Sequence, residues 1–357
     1  MRIAFFGSSL VSAYWNGAAT YYRGLLKELH RRGHRITFFE PDAFERQAHR
    51  DMADPDWAEV VVYKASESGA LAALDGARGA DVVVKASGVG VLDELLDEAV
   101  LDVGDHGLAV FWDVDAPATL ARLEANEDDP LRALVPRYDV VLTYGGGTPV
   151  VRRYRALNAR DCVPVYNALD PETHHPVPAD PRFFADLAFL GNRLPDREAR
   201  VEEFFLRAAE LAPNRRFLLA GAGWDDRRLP VNVHLAGHVS TREHNPFNST
   251  PRAVLNVLRE SMAANGWSPA TRVFEAAGAG ACVISDAWEG IDEFLEPGRE
   301  VLVAESGAAV AAILDELSPE LAARIGKAAR RRLLLEHTYA HRAEQVDRIL
   351  NSAAVAA

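Results

Sequence analysis

The chain has 357 residues and a formal net charge of −13 at pH 7, with 48% hydrophobic and 25% charged residues. That length suits two ordinary domains of a soluble globular protein, and the acidity argues against a nucleic-acid-binding surface. No apolar run reaches the length of a membrane span. Cys162 and Cys282 lie far apart in apolar stretches without metal or disulfide spacing, so they read as buried thiols of a reducing, cytoplasmic compartment, with peripheral membrane contact left open.

The opening MRIAFFGSSL reads as a strand and a turn, too polar afterwards for a signal peptide. A helical stripe of Tyr21, Leu25, Leu26 and Leu29 predicts a helix over 17–32, stopped by Gly33 and followed by a strand over 35–40. Strands are expected at 59–63, 81–85, 108–112 and 138–143, with helices at 67–77, 91–100 and 148–157 between and after them. Such alternation predicts a parallel sheet. Its strand ends carry Gly7-Ser8-Ser9, Ser87-Gly88, Asp113-Val114-Asp115 and Tyr144-Gly145-Gly146, small and polar residues on the edge where open α/β sheets bind ligands. Gly88-Val89-Gly90 does not continue as a dinucleotide fingerprint, which disfavours an oxidoreductase.

The segment 163–181 is rich in Pro and Asp and reads as a linker. Its His174-His175 pair has no suitably spaced third ligand in the sequence, so a metal site is not expected. A second alternation follows. Strands are expected at 187–190, 216–219, 231–236, 253–258 and 300–303, with helices at 196–211, 319–336 and 339–350. Between them lies Ser268–Gly290, read as a helix capped by Ser268-Pro269, ended by Gly278 and Gly280, then a strand at Cys282-Val283-Ile284. A capped helix start with Arg272 one turn in is an anion-site pattern.

With these elements placed, the chain resembles GT-B glycosyltransferases of the family-4-like type. The resemblance rests on LLKELHRRGHRITFFEP (25–41), VPVYNALDPETHHP (163–176), LGNRLPDREARVEEFF (190–205) and the long stretch from Ser268 to Ala304. Those last two segments look most like the CgeB-like, spore-maturation type. The resemblance implies an α/β chain of two facing Rossmann-like domains with a cleft between them. An acceptor-side domain would span 1–166, a linker 167–181 and a nucleotide-sugar domain 182–338, with a C-terminal helix at 339–357 able to return to the first domain. It implies a hexosyltransferase that uses a nucleoside diphosphate sugar, UDP-sugar favoured, without metal or other cofactor. The acceptor, whether small molecule, glycan or protein, is not identified.

A departing diphosphate needs cations and helix amides, and Arg193 and Arg272 are the candidate cations. Family position adds Gly17, Gly191, Asn192, Ser268 and Thr271 to the donor site, places Glu275 on the ribose hydroxyls, and gives the base edge to His238 and Val239. Related retaining enzymes often carry a glutamate eight positions before the Glu275 position. Here that residue is Trp267, which would shape the sugar pocket instead. Asp113 is the preferred acceptor-side base, because Asp115 fits a helix cap at Ala116. Asp113-Val114-Asp115 also mimics the metal-holding D-x-D of the other glycosyltransferase fold, read here as coincidence. Tyr14, Trp15, Asn16, Ser87, Gly145 and Gly146 complete the acceptor or sugar pocket. A nucleotide-sugar epimerase or hydrolase and a non-catalytic nucleotide-sugar-binding protein are the competing functions.

Overall fold

A computed structural model describes residues 1–103 and 107–356. The chain divides into two compact units, Met1–Asn167 with Tyr339–Ala357, and Ala168–Thr338.

In the first unit, strands β1 (Arg2–Phe6), β2 (Arg35–Asp42), β3 (Ala58–Lys64), β4 (Val82–Ala86), β5 (Leu108–Asp113), β6 (Val140–Thr143) and β7 (Cys162–Pro164) form one sheet. It is parallel throughout, in the order β3-β2-β1-β4-β5-β6-β7. Helices α1 (Ala19–Arg31), α2 (Glu67–Gly76), α3 (Asp93–Val103), α4 (Ala116–Ala125), α5 (Pro130–Leu134) and α6 (Gly147–Ala156) connect the strands. Every residue of β4 and β5 is buried, as expected for central strands covered on both faces. On α1 the buried stripe is Tyr21, Tyr22, Leu25, Leu26 and Leu29. Its aromatics pack on Phe5, Phe38 and Trp112, and Trp112 Nε1 donates to Tyr21 OH at 3.1 Å.

In the second unit, β8 (Leu187–Leu190), β9 (Phe217–Ala220), β10 (Val233–Gly237), β11 (Ala253–Asn256), β12 (Val283–Asp286) and β13 (Leu302–Ala304) make a sheet ordered β10-β9-β8-β11-β12-β13. It too is parallel. The helix expected over 196–211 is α7 (Pro195–Val201), continued through a π-turn at Glu202–Leu206 into α8 (Arg207–Leu211). Then come α9 (His244–Ser249), α10 (Glu260–Asn265), α11 (Thr271–Gly278), α12 (Gly307–Glu316) and α13 (Pro319–Glu336). Ser306 and Ser318 cap α12 and α13 through their side chains, and Pro319 follows the second cap at a position needing no donor. The last helix, α14 (Tyr339–Ala356), belongs to the first unit. Among the described residues no helix is long and apolar enough to cross a membrane.

Each sheet reverses its strand order once, between β1 and β4 in the first and between β8 and β11 in the second. Loops leaving neighbouring strands there diverge to opposite faces and leave a crevice at the carboxyl ends. One expected start needs correction. The helix of the Ser268–Gly290 stretch begins at Thr271 with Ala270 as an N-cap that offers no side-chain bond. Ser268 is buried and donates its Oγ to the Gly266 carbonyl at 2.9 Å, so it shapes the preceding turn instead of capping the helix.

Candidate functional site

The crevice of the second unit opens where β8 ends in Gly191-Asn192-Arg193. This loop is fastened to the one after β9. Gly191 donates to the Ala220 carbonyl at 2.9 Å, Arg193 N–H to the Ala222 carbonyl at 2.9 Å, and Ala222 N–H to Asn192 Oδ1 at 3.0 Å. Trp224 Nε1 donates to the Gly191 carbonyl at 2.8 Å. Gly221 has φ +119°, and a Cβ there would lie 2.3 Å from the Gly191 oxygen, so close approach and backbone conformation both demand glycine.

Three arginines stand around this loop in different electrostatic states. Arg193 pairs with Glu198 at 2.7 Å and Asp226 at 2.8 Å, and the Glu198 hydrogen bond raises its pKa. Arg272, in the first turn of α11, donates from Nε and Nη2 to the Leu190 carbonyl at 2.9 and 2.5 Å and lies 4.9 Å over the Phe189 ring. Arg197, on α7, donates from Nη2 to the Asn192 carbonyl at 2.5 Å and faces the same ring at 5.7 Å. Burial first, then the neighbouring Arg197 charge, pull the Arg272 pKa down to about 9. Burial likewise lowers that of Arg197, whose Nε is enclosed without a partner. Among the described residues neither guanidinium has a carboxylate within ion-pairing distance. Arg272 Nη1 also donates to Asn256 Oδ1 at 3.4 Å, and two desolvated like charges whose hydrogen-bond partners among the described residues are neutral oxygens form an arrangement able to receive an anion.

Glu275 follows Arg272 by one turn on the same helix, and its Oε1 lies 3.9 Å from His174 Nε2. His244 completes a group whose nitrogens and carboxylate oxygen lie within 4.8 Å of one another. Spacing along the chain offers His174 no third ligand nearby, whereas folding brings two neighbours to it from α9 and α11. The sequence hides this because they are 70 and 101 positions away. This is the single such grouping found among the described residues. Along the rim, Gly237 is in the left-handed region at φ +70°, Val239 is buried and His238 is exposed. Thr271 opens α11 and is half-buried. Trp267 has φ +42°, donates Nε1 to Glu293 at 2.6 Å and packs where a Cβ on Gly290 would stand, 2.3 Å away. Its indole braces the far end of the stretch.

In the first unit, Asp113 ends β5 and is fully buried. Its Oδ1 accepts from Ser87 Oγ at 2.7 Å, Thr119 Oγ1 at 3.0 Å and Asp115 N–H at 3.0 Å, and its Oδ2 from Tyr154 OH at 2.5 Å. Burial still raises its pKa, and the four donors oppose that. Such bonding ties the loops after β4 and β5 to α4 and α6, and leaves no face of Asp113 for a ligand. Asp115, expected to cap α4, makes no capping bond.

The loop after β1 is organised by Asn16, which donates to the Ser9 and Ser12 carbonyls at 2.8 and 3.0 Å and accepts from Ser8 Oγ at 2.9 Å. That holds Tyr14, stacked 4.0 Å on His49, and Trp15, 64% exposed at φ +47°. Gly17 has open space around it. Gly145 and Gly146 are buried at the start of α6, with Gly146 at φ +95°.

Comparison with known proteins settles the architecture. Sucrose-phosphate synthase from Thermosynechococcus elongatus superposes with a TM-score of 0.74 at 14% identity, over 100% of both chains. Anabaena HepE, solved in complex with UDP-glucose, gives 0.65 at 13% identity over 99% of this chain and 100% of its own. A glycosyltransferase from Rickettsia africae gives 0.64 at 11% identity over 99% and 98%. The fold is GT-B. Residues 197–348 match a family described as "Glycosyl transferase-like". No curated protein sequence matches the chain.

Within this GT-B chain, Arg197, the first residue of the family match, is the functional candidate that sequence reasoning passed over. It stands four positions after Arg193 in the same GNRLPDR run, where its sequence position marks only the start of a helix. Spacing alone cannot reveal that Arg193 is held by two carboxylates while Arg197 turns back to the strand end.

Proposed function

We propose that this protein is a metal-independent glycosyltransferase of the hexosyltransferase type, moving a sugar from a nucleoside diphosphate sugar, UDP-sugar favoured, to an acceptor hydroxyl. The observation that carries the reading is the pair Arg197 and Arg272 at the carboxyl end of β8, two cations with no carboxylate partner among the described residues. A diphosphate leaving group develops negative charge as the glycosidic bond breaks, and preorganised guanidinium groups stabilise that charge where a metal would otherwise do so. The start of α11 adds the partial positive charge of a helix N-terminus. Glu275 accepts the ribose hydroxyls, and the loop at His238-Val239 takes the base.

On the acceptor side, the carboxylate assigned to deprotonating or orienting the hydroxyl is Asp115, with Asp113 as the scaffold beneath it. Tyr14 and Trp15 offer faces for a sugar ring or an apolar acceptor. The UDP-glucose and glycosyltransferase neighbours, together with the family match, support the donor class.

A thermal-shift screen over nucleoside diphosphates and their sugars tests the reading. Ligands that bind the folded chain raise its melting temperature by linkage. UDP and a UDP-sugar are expected to give the largest shifts. A chain indifferent to every nucleoside diphosphate would sink the proposal. Sugar release or rearrangement with no acceptor present would replace transfer by hydrolysis or epimerisation.

A further inference from the structure

Three elements of the second unit converge on Glu275. The turn carrying His174 is internally braced: Thr173 Oγ1 donates to Asp170 Oδ2 at 2.9 Å and His174 N–H to the Asp170 carbonyl at 2.9 Å. It is fastened to α9 by Asn245, which donates Nδ2 to the Thr173 carbonyl at 2.9 Å and accepts His175 N–H at 3.3 Å. It is pressed onto α11, where a Cβ on Gly278 would meet Leu169 Cδ1 at 2.3 Å and the His174 carbonyl at 3.3 Å. So braced, the His174 side chain is buried, with its Nε2 3.9 Å from Glu275 Oε1 and its ring centroid 6.5 Å from that of His244. None of these three side chains hydrogen-bonds elsewhere among the described residues.

Resting on the nucleotide reading above, we infer that His174 and His244 are positioning residues that hold the Glu275 carboxylate in the orientation it needs to accept a ribose diol. A carboxylate receiving two hydroxyls must be fixed in rotation, and an imidazole N–H behind it does that. The 3.9 Å gap closes to a hydrogen bond when ligand draws the group together, as contacts in ligand-free sites commonly do.

Burial lowers the pKa of His244, with Glu275 opposing and His174, Arg272 and His238 adding to the effect, so the ring faces the carboxylate as a neutral imidazole at pH above the usual histidine range. A cation is the rival occupant. The group spans up to 4.8 Å, wider than the about 3.3 Å between ligand atoms of a tetrahedral zinc sphere and wider than a hydrogen bond, so it must contract for either occupant.

The test is a double-mutant cycle on the full chain with UDP as the calorimetric probe. His174→Phe and Glu275→Gln are each expected to weaken UDP roughly tenfold or more, and the double variant no more than Glu275→Gln alone. His174→Gln, which keeps a donor and covers a failure of the Phe variant to fold, should recover most of the affinity. Additive losses, or one equivalent of Zn²⁺ retained through dialysis and removed by His174→Gln, overturn the inference. In ligand-free protein the imidazole resonances of His174 and His244 should both move in Glu275→Gln. Unmoved resonances overturn it independently of nucleotide, whereas a wild-type chain that binds no UDP overturns the donor reading itself.

Discussion

Arg197 and Arg272 meet over one backbone atom. A Cβ built on Gly191 would lie 2.9 Å from Arg197 Nη2 and 3.0 Å from Arg272 Nη2. Two guanidinium groups reach the same carboxyl strand end from different helices, α7 and α11, with the Phe189 ring beneath both. Burial first, and the Arg197 charge second, hold the Arg272 pKa below the usual arginine range. An anion bridging the pair offsets both effects.

Replacing either arginine should therefore cost affinity more than folding. Arg197→Met and Arg272→Met are each expected to weaken UDP by roughly ten- to hundredfold, the range of a charge-assisted contact, with the ligand-free melting temperature little changed. Calorimetry and thermal denaturation check both parts. Full UDP affinity in either variant would remove that residue from the diphosphate site.

Gly191→Ala gives a finer test of the same geometry. The added methyl meets the far ends of two flexible side chains and the Phe189 ring, with Cζ 3.0 Å away, so the chain folds but both guanidinium groups must move. We expect UDP affinity to fall and the melting temperature to change only slightly. Unchanged UDP affinity would mean that the arginine positions at Gly191 are irrelevant to binding.

Asp113 and Asp115 should separate stability from chemistry. Asp113→Ala leaves Ser87, Thr119, Tyr154 and a backbone amide without their acceptor, and is expected to cost about 3 kcal/mol in denaturant unfolding. Asp115→Asn should leave the melting temperature in place and lower turnover roughly a hundredfold if Asp115 acts as the general base. Normal turnover in Asp115→Asn would take that role away.

Chelation tests the proposed reliance on guanidinium groups for leaving-group charge. Turnover should be the same before and after exhaustive EDTA treatment. Complete loss, restored by Mn²⁺, would contradict the metal-independent mechanism.

Acid should destabilise the fold through two histidines. Burial lowers the folded-state pKa of His34 and of His244. Above about pH 7 neither state binds these protons and stability is unaffected. As pH falls below about 6.5 the unfolded chain protonates first, so stability declines through that window. Melting temperatures between pH 8 and pH 5.5 should show the decline, and His34→Gln with His244→Gln should flatten it. An undiminished decline in the double variant would assign it to other groups.

The parallel-sheet architecture was legible because buried runs such as Val82–Ala86 and Leu108–Asp113 admit few other readings, and because the Tyr21, Leu25, Leu29 stripe has helical period. The residues of the site were legible by type but not by state. Glu198 lies close enough in sequence to pair with Arg193, but only the fold adds Asp226 to it and removes water from Arg197. The burial of Asp113 was hidden for a similar reason. Which carboxylate is enclosed depends on Tyr154 and Thr119, residues that no local spacing connects to it. Ser268 was assigned to the helix start on identity alone, whereas its Oγ turns back to Gly266.

The first unit is interrupted by the whole of the second, and its last helix begins at Tyr339, whose ring fills the space above Gly24 so closely that a Cβ there would lie 2.2 Å from it. During synthesis the ribosome therefore releases every residue of the second unit before α14 exists. Until then the face of α1 at Tyr21 and Gly24 lacks the Tyr339 ring that packs on it. The order of maturation is the reverse of the order of sequence: the unit encoded first is finished last.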